Sequence, residues 1–270
     1  MHHHPNDKYI NINGLSIRYH DEGSGPAVVM IHGMFASLYS FQDWTHALKE
    51  NYRAISFDLP GFGFSDAPNG KLSMQWYCDF VDLFLKELYL TDVVLCGNSL
   101  GGWIAWEYTW RYPGKVKKLV LLAPAGFIDK WNMPIPVYFA KSGLLKLFSR
   151  LITKKTIHIA LKTVYANKKL IKNESIDHYY SIVKRKENIA HISRLAQVHP
   201  TDNTQKLTEI KKPVLLIWGE KDRWISIKHL AKFKSKSPHA KVLTSKNWGH
   251  APMEEAAEET LNHLAQFLNS

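Results

Sequence analysis

Residues 97–101 read Gly-Asn-Ser-Leu-Gly, directly after an apolar run that ends at Cys96 and directly before a helical stretch. A serine on a sharp strand-to-helix turn needs small neighbours, and Gly97 and Gly101 meet that need. So placed, Ser99 could act as a nucleophile. The N–H of Leu100, at a helix N-terminus, could stabilise a developing oxyanion. Such a serine also needs a base to take its proton and a carboxylate to hold the base. Two later loops offer them in the chain order serine, acid, histidine: Gly219-Glu220-Lys221-Asp222 and Asn247-Trp248-Gly249-His250. Asp222 is the expected acid and His250 the expected base. Glu220 competes, but it lies two residues nearer the strand and is expected to point elsewhere. After the run ending at Ile31 comes His32-Gly33-Met34-Phe35. Gly33 allows a turn that aims the Met34 N–H at the same pocket as a second oxyanion donor, and His32 is expected to hold the loop by hydrogen bonding.

These loops need a scaffold that gathers the ends of distant segments. Residues 9–21 alternate apolar and polar around Asn13-Gly14, which predicts an antiparallel hairpin. The runs at 27–31, 53–57, 93–96, 116–122, 214–218 and 241–243 read as strands, the first (AVVMI) as one buried on both faces. Helical patterns fall at 39–49, 74–90, 99–112 and about 254–268. Such alternation predicts an α/β fold with a mostly parallel sheet and helices on both faces, whose ligand sites lie beyond the carboxyl ends of the strands.

One segment breaks the alternation. From Phe127 to His199 there are 14 Lys and Arg against 4 Asp and Glu, which accounts for nearly all of the formal net charge of +11. A basic, helical, aromatic-bearing stretch inside an otherwise balanced chain is expected to be an inserted helical cap over residues 127–204, on a core of 8–126 and 205–270. Phe35, Phe127, Trp131, Tyr138 and Phe139 are expected from position to line the substrate pocket. Between 141 and 155 lysines and arginines interleave with Leu144, Leu145, Leu147, Phe148, Leu151 and Ile152. That pattern fits either a cap helix over the site or peripheral contact with an anionic membrane. Nucleic acid is not expected as a partner, because the aromatics suit an acyl pocket better than base stacking. Cys78 and Cys96 make no disulfide framework and carry no metal spacing, and Cys96 reads as packing. With a polar N-terminus and no long apolar run, the expectation is a cytoplasmic protein without a transmembrane helix.

The motifs His32-Gly33-Met34-Phe35, Asp58-Leu59-Pro60-Gly61-Phe62-Gly63-Phe64-Ser65-Asp66, Gly97-Asn98-Ser99-Leu100-Gly101-Gly102, Gly219-Glu220-Lys221-Asp222 and Gly249-His250 together resemble the α/β-hydrolase superfamily, in particular its cap-bearing serine hydrolases. The resemblance runs from about Tyr9 to Phe267. It implies an eight-stranded sheet, Ser99 as nucleophile, Asp222 as triad acid, His250 as base, Asp58 as a holder of backbone, and no cofactor or metal. It also implies a small-molecule ester as substrate. Carbon–carbon bond hydrolases of aromatic degradation share the elbow and the cap, but they usually carry a Trp soon after the Gly-His pair, where this chain has Ala251-Pro252-Met253-Glu254. They also grip a carboxylate with a cap arginine, for which Arg194 is the candidate here. A monoacylglycerol-type lipase and a non-catalytic sensor are the other readings. The expectation is a carboxylic ester hydrolase.

Overall fold

Eight strands form one sheet in the order β1-β2-β4-β3-β5-β6-β7-β8. The computed structural model describes residues 5–127, 138, 140, 142, 149–199 and 201–270. β1 (Lys8–Ile12) and β2 (Leu15–Glu22) make the expected hairpin, with both turn residues, Asn13 and Gly14, at positive φ. β2 runs antiparallel to β4 (Arg53–Phe57). From there β3 (Ala27–Ile31), β5 (Val93–Asn98), β6 (Val116–Leu122), β7 (Val214–Gly219) and β8 (Lys241–Ser245) are all parallel. All parallel strands therefore end on one edge, and the loops carrying Met34, Ser99, Asp222 and His250 leave from it.

Helices cover both faces. α2 (Met74–Glu87) and α3 (Leu100–Arg111) bury Tyr77, Phe84, Ile104 and Trp106 on one side. On the other, α1 (Gln42–Leu48) joins α9 (Ala257–Asn269), which buries Leu264 and Phe267 against Val28 and Met30. Side chains of this size, fully buried, each contribute about 2–3 kcal/mol through loss of water contact. Between β6 and β7 lie α4 (Lys154–Val164), α5 (Asn173–Val183) and α6 (Lys186–Leu195). α4 and α5 carry a small core of their own, Ile157, Leu161, Tyr165 and Ile176. α7 (Lys228–Lys236) follows β7.

Two predicted helices differ from the structure. The pattern over 39–49 resolves into a 3-10 turn, Leu38–Phe41, followed by α1. The final helix does not run unbroken from 254: a short α8 (Pro252–Glu255) ends at Ala256 (φ −143°) before α9 begins. The Glu255 carboxylate accepts N–H groups of Gly249 and Ala166 at 2.8 and 2.7 Å, holding this turn to the histidine loop.

Candidate active site

Ser99 sits between β5 and α3 with φ 53° and ψ −115°, a backbone region that a non-glycine residue rarely occupies. The turn is held by its surroundings. The Ser99 N–H donates to the Leu122 carbonyl at 3.0 Å, and its own carbonyl accepts the Ala125 N–H at 2.9 Å. A methyl group at Gly97 would lie 2.3 Å from the Gly101 carbonyl oxygen, and one at Gly101 would lie 2.2 Å from that of Ile31. Both glycines are therefore steric requirements of the turn, as the pattern predicted.

The loop after β3 crosses directly over the serine. A Cβ on Gly33 would come within 3.1 Å of Ser99 Cβ, and the chain turns left-handed at Phe35 (φ 64°). His32 is spent on backbone: its Nε2 accepts the Leu59 N–H at 2.9 Å and its Nδ1 donates to the Gly33 carbonyl at 2.7 Å. That pairing defines the neutral tautomer, and complete burial holds the imidazole pKa below its usual value. Asp58 likewise accepts the N–H groups of Leu38 and Phe64 at 2.8 Å and faces Arg18 at 3.4 Å.

Past β7, the Asp222 side chain is fully buried and accepts three hydrogen bonds. Oδ1 takes the N–H groups of Trp224 and Ile225 at 2.7 and 2.9 Å, and Oδ2 faces His250 Nδ1 at 2.8 Å. An Asp222 carboxylate can only accept, so Nδ1 carries the proton and Nε2 is the basic nitrogen of His250. Glu220 is exposed and takes no part in this pair. His250 is held through its backbone, donating its N–H to the Val164 carbonyl at 2.8 Å. Its carbonyl accepts Asn98 Nδ2 at 3.1 Å, and the same amide also reaches the Leu122 carbonyl. The Trp224 ring lies nearly parallel to the imidazole, with centroids 5.6 Å apart.

Ser99, His250, Met34 and Phe35 line one cavity of about 320 Å³. Its opposite wall is apolar, with Ile157, Leu161 and Val164 from α4 and Val183 from α5. Ser40, Tyr179 and Glu254 form a polar corner. Among the described lining residues there is no Lys or Arg. Arg194, the candidate carboxylate clamp, donates instead to the Pro68 carbonyl at 2.6 Å.

The expected pocket aromatics are placed unevenly. Phe35 lines the cavity. Phe127 does not: its ring packs edge-on against Phe233 of α7 at 5.0 Å, drawn to the core beneath that helix. Tyr138 is 60% exposed and is not among the described residues that line the cavity. Trp131 and Phe139 lie outside the described residues. Sequence reasoning missed Trp224, Tyr179, Glu254 and the bridging Asn98. Trp224 stands two residues after Asp222 and Glu254 four after His250, the only signals that could have flagged them. Cys96 is buried in β5 and burial pushes its thiol pKa up, in keeping with a packing role.

Comparison with known proteins agrees with this architecture. The family profile described as the alpha/beta hydrolase family matches residues 28–263, and the chain belongs to that family. Its members are hydrolases. An uncharacterized hydrolase of Bacillus subtilis is 28% identical, over 95% of this chain and 96% of its own length. A 2-hydroxy-6-oxo-6-phenylhexa-2,4-dienoate hydrolase of Burkholderia cepacia is also 28% identical, over 96% of both chains. Among solved structures, a bacterial membrane phospholipase A superposes with a TM-score of 0.84 at 25% identity, covering 97% of this chain and 85% of that one.

Proposed function

We propose that the chain hydrolyses carboxylic esters through an acyl-enzyme on Ser99. In this reading Ser99 Oγ attacks the carbonyl carbon while His250 Nε2 takes its proton. Asp222 holds the imidazole and stabilises the imidazolium, and the N–H groups of Met34 and Leu100 receive the oxyanion. His250 returns the proton to the leaving alcohol. Water then attacks the acyl-enzyme, with His250 again as base, and releases the acid. Residues 127–204 act as a cap on a core of 8–126 and 205–270, and α4 supplies the acyl wall.

The observation that carries the choice of ester is the cavity's composition. A dienoate substrate brings a carboxylate, which needs a cationic partner when desolvated. The described lining offers none, and Glu254 would repel it. The relatives named as lipases of Psychrobacter immobilis and Moraxella are consistent with the ester reading.

Initial rates on p-nitrophenyl esters from acetyl to palmitoyl, with Ser99→Ala as the blank, test it. A Ser99-dependent rate with a chain-length optimum is expected, with Ser99→Ala slower by about 10⁴-fold or more. Equal rates for the two proteins on every ester would overturn the reading and turn attention to a dienoate.

A membrane-surface version is favoured by Leu151, which lines the cavity yet is 62% exposed, and by Ile159, 55% exposed on α4 beside Lys155 and Lys162. Among the described residues no helix is long and apolar enough to cross a membrane, so contact would be peripheral. Salt-sensitive binding to anionic vesicles is the expected result.

A further inference from the structure

Glu254 puts a carboxyl group into an otherwise apolar cavity, four residues after His250. It is the only acid among the described lining residues. Its oxygens accept the hydroxyls of Tyr165 and Tyr179 at 2.5 and 2.7 Å, and Ser40 bonds to the Tyr179 hydroxyl at 3.2 Å. Placing a carboxyl there costs it hydration, which these hydroxyls offset only in part. Burial accordingly pushes the Glu254 carboxyl above its usual range, against the hydroxyl donors that favour its charged form. The carboxyl has about four lone-pair sites. Tyr165 and Tyr179 each fill one of them and the Ser40 hydroxyl is also in reach, so capacity remains for a further donor on a carboxyl that lines the cavity.

We propose that Glu254, Tyr179 and Ser40 form a subsite for a hydroxyl group on the substrate, placed away from the scissile bond, as on a glycol or glycerol monoester. The proposal rests on the ester reading and narrows it. A hydroxyl fits better than an ammonium, because it pairs with the carboxyl in either protonation state by donating to the anion or by accepting from the acid. An anionic substituent would be repelled by the ionised carboxyl. The tyrosines then serve two ends: they hold the carboxyl in place, and Tyr179 offers its own oxygen to the ligand.

The test uses isosteric ester pairs in which a terminal methyl replaces a hydroxyl: 3-hydroxypropyl butyrate against butyl butyrate on the alcohol side, and methyl 6-hydroxyhexanoate against methyl heptanoate on the acyl side. In at least one pair the wild type should favour the hydroxylated ester by about 10-fold or more in kcat/KM. Glu254→Leu should abolish or invert that ratio, and Glu254→Gln, which still accepts from the tyrosines, should retain part of it. A purely structural Glu254 would change both members of a pair equally. Finding the same ratio in wild type and Glu254→Leu for both pairs would overturn the proposal.

A second readout needs no turnover. The uncleavable ether 1-O-octylglycerol should raise the Tm of Ser99→Ala more than ethyl octyl ether does, and adding Glu254→Gln should shrink that difference. If no ester is cleaved in a Ser99-dependent way, the esterase reading fails while this shift still reports on the subsite. Equal shifts from the two ethers in Ser99→Ala would refute the subsite by itself.

Discussion

The strand-end loops and the helical wall that faces them hold their side chains by different means. Around Ser99, Asp222 and His250 the fixing contacts are with backbone. The Asp222 carboxylate takes two N–H groups besides the imidazole, the His250 peptide is tied at both ends, and Gly97 and Gly101 admit close backbone approach. On the wall several contacts join side chain to side chain: Tyr165 and Tyr179 on Glu254, Trp224 on Thr163, and Ser37 on His178. Backbone contacts are built into the sheet and cannot be altered singly. Side-chain contacts can be exchanged one residue at a time without disturbing the sheet. On the proposed function, the reacting groups belong to the backbone-held region and substrate choice to the wall.

The sharpest way to break this contrast is to alter one backbone-held group while keeping its shape. Asp222→Asn preserves volume but offers His250 an amide in place of one carboxylate oxygen. It is expected to cut kcat by about 10⁴-fold through the wrong tautomer, at nearly unchanged Tm. A loss of less than 10-fold, measured in initial rates, would mean that the acid lies elsewhere.

Gly97→Ala tests the steric half of the contrast. The new methyl would meet the Gly101 carbonyl oxygen at 2.3 Å, and backbone cannot yield as a flexible side chain can. Destabilisation of about 3 kcal/mol or more is expected in denaturant unfolding. Gly33→Ala should cost less, because its nearest contact is the Asn98 Oδ1 side-chain atom at 3.0 Å. Equal costs at the two positions would show the elbow to be less rigid than described.

The smallest effect concerns α6. His191 Nε2 and the Tyr77 hydroxyl are hydrogen-bonded at 2.7 Å, and His191 is fully buried. Burial, helped by the positive charge of Arg194, lowers its pKa from 6.5 to about 4. The unfolded chain therefore binds the proton more readily between these values. Stability should fall as pH drops from 6.5 towards 4, by about 2–3 kcal/mol in all. Glu255 acts in the opposite sense. Burial raises its carboxyl from 4.5 to about 7, so its contribution is full below pH 4.5 and is lost as pH rises to 7. The two slopes oppose each other, so the readout is the difference in Tm against pH between wild type and His191→Asn. A pH-independent difference would refute the assignment of a buried neutral imidazole.

Much of the site could be read in advance because it obeys local rules. A serine between two glycines at a strand-to-helix junction, an Asp after β7 and a His after β8 are statements about short segments, and the geometry agrees with each. The wall did not yield in the same way. Glu254 stood at the predicted start of the last helix, whereas the structure places it in the short α8, where it lines the cavity. Tyr165 and Tyr179 stand fourteen positions apart, beyond any single helical face, and meet on Glu254 only because α4 and α5 pack beside the histidine loop. Phe127 looked like a pocket residue from its place at the start of the insertion, but the apolar surface of Phe233 holds it elsewhere.

The amino-acid sequence alone determined the alternation of strands and helices, the single edge on which the loops gather, and the residue types fit for nucleophilic attack. Those properties rest on steric demands and hydrogen-bond inventories that act within a few residues. Tertiary structure alone decided which side chains close the cavity, and that a carboxyl group stands in its polar corner. Such contacts join segments far apart in the chain, and no local pattern encodes how one helix packs over the ends of another element's strands.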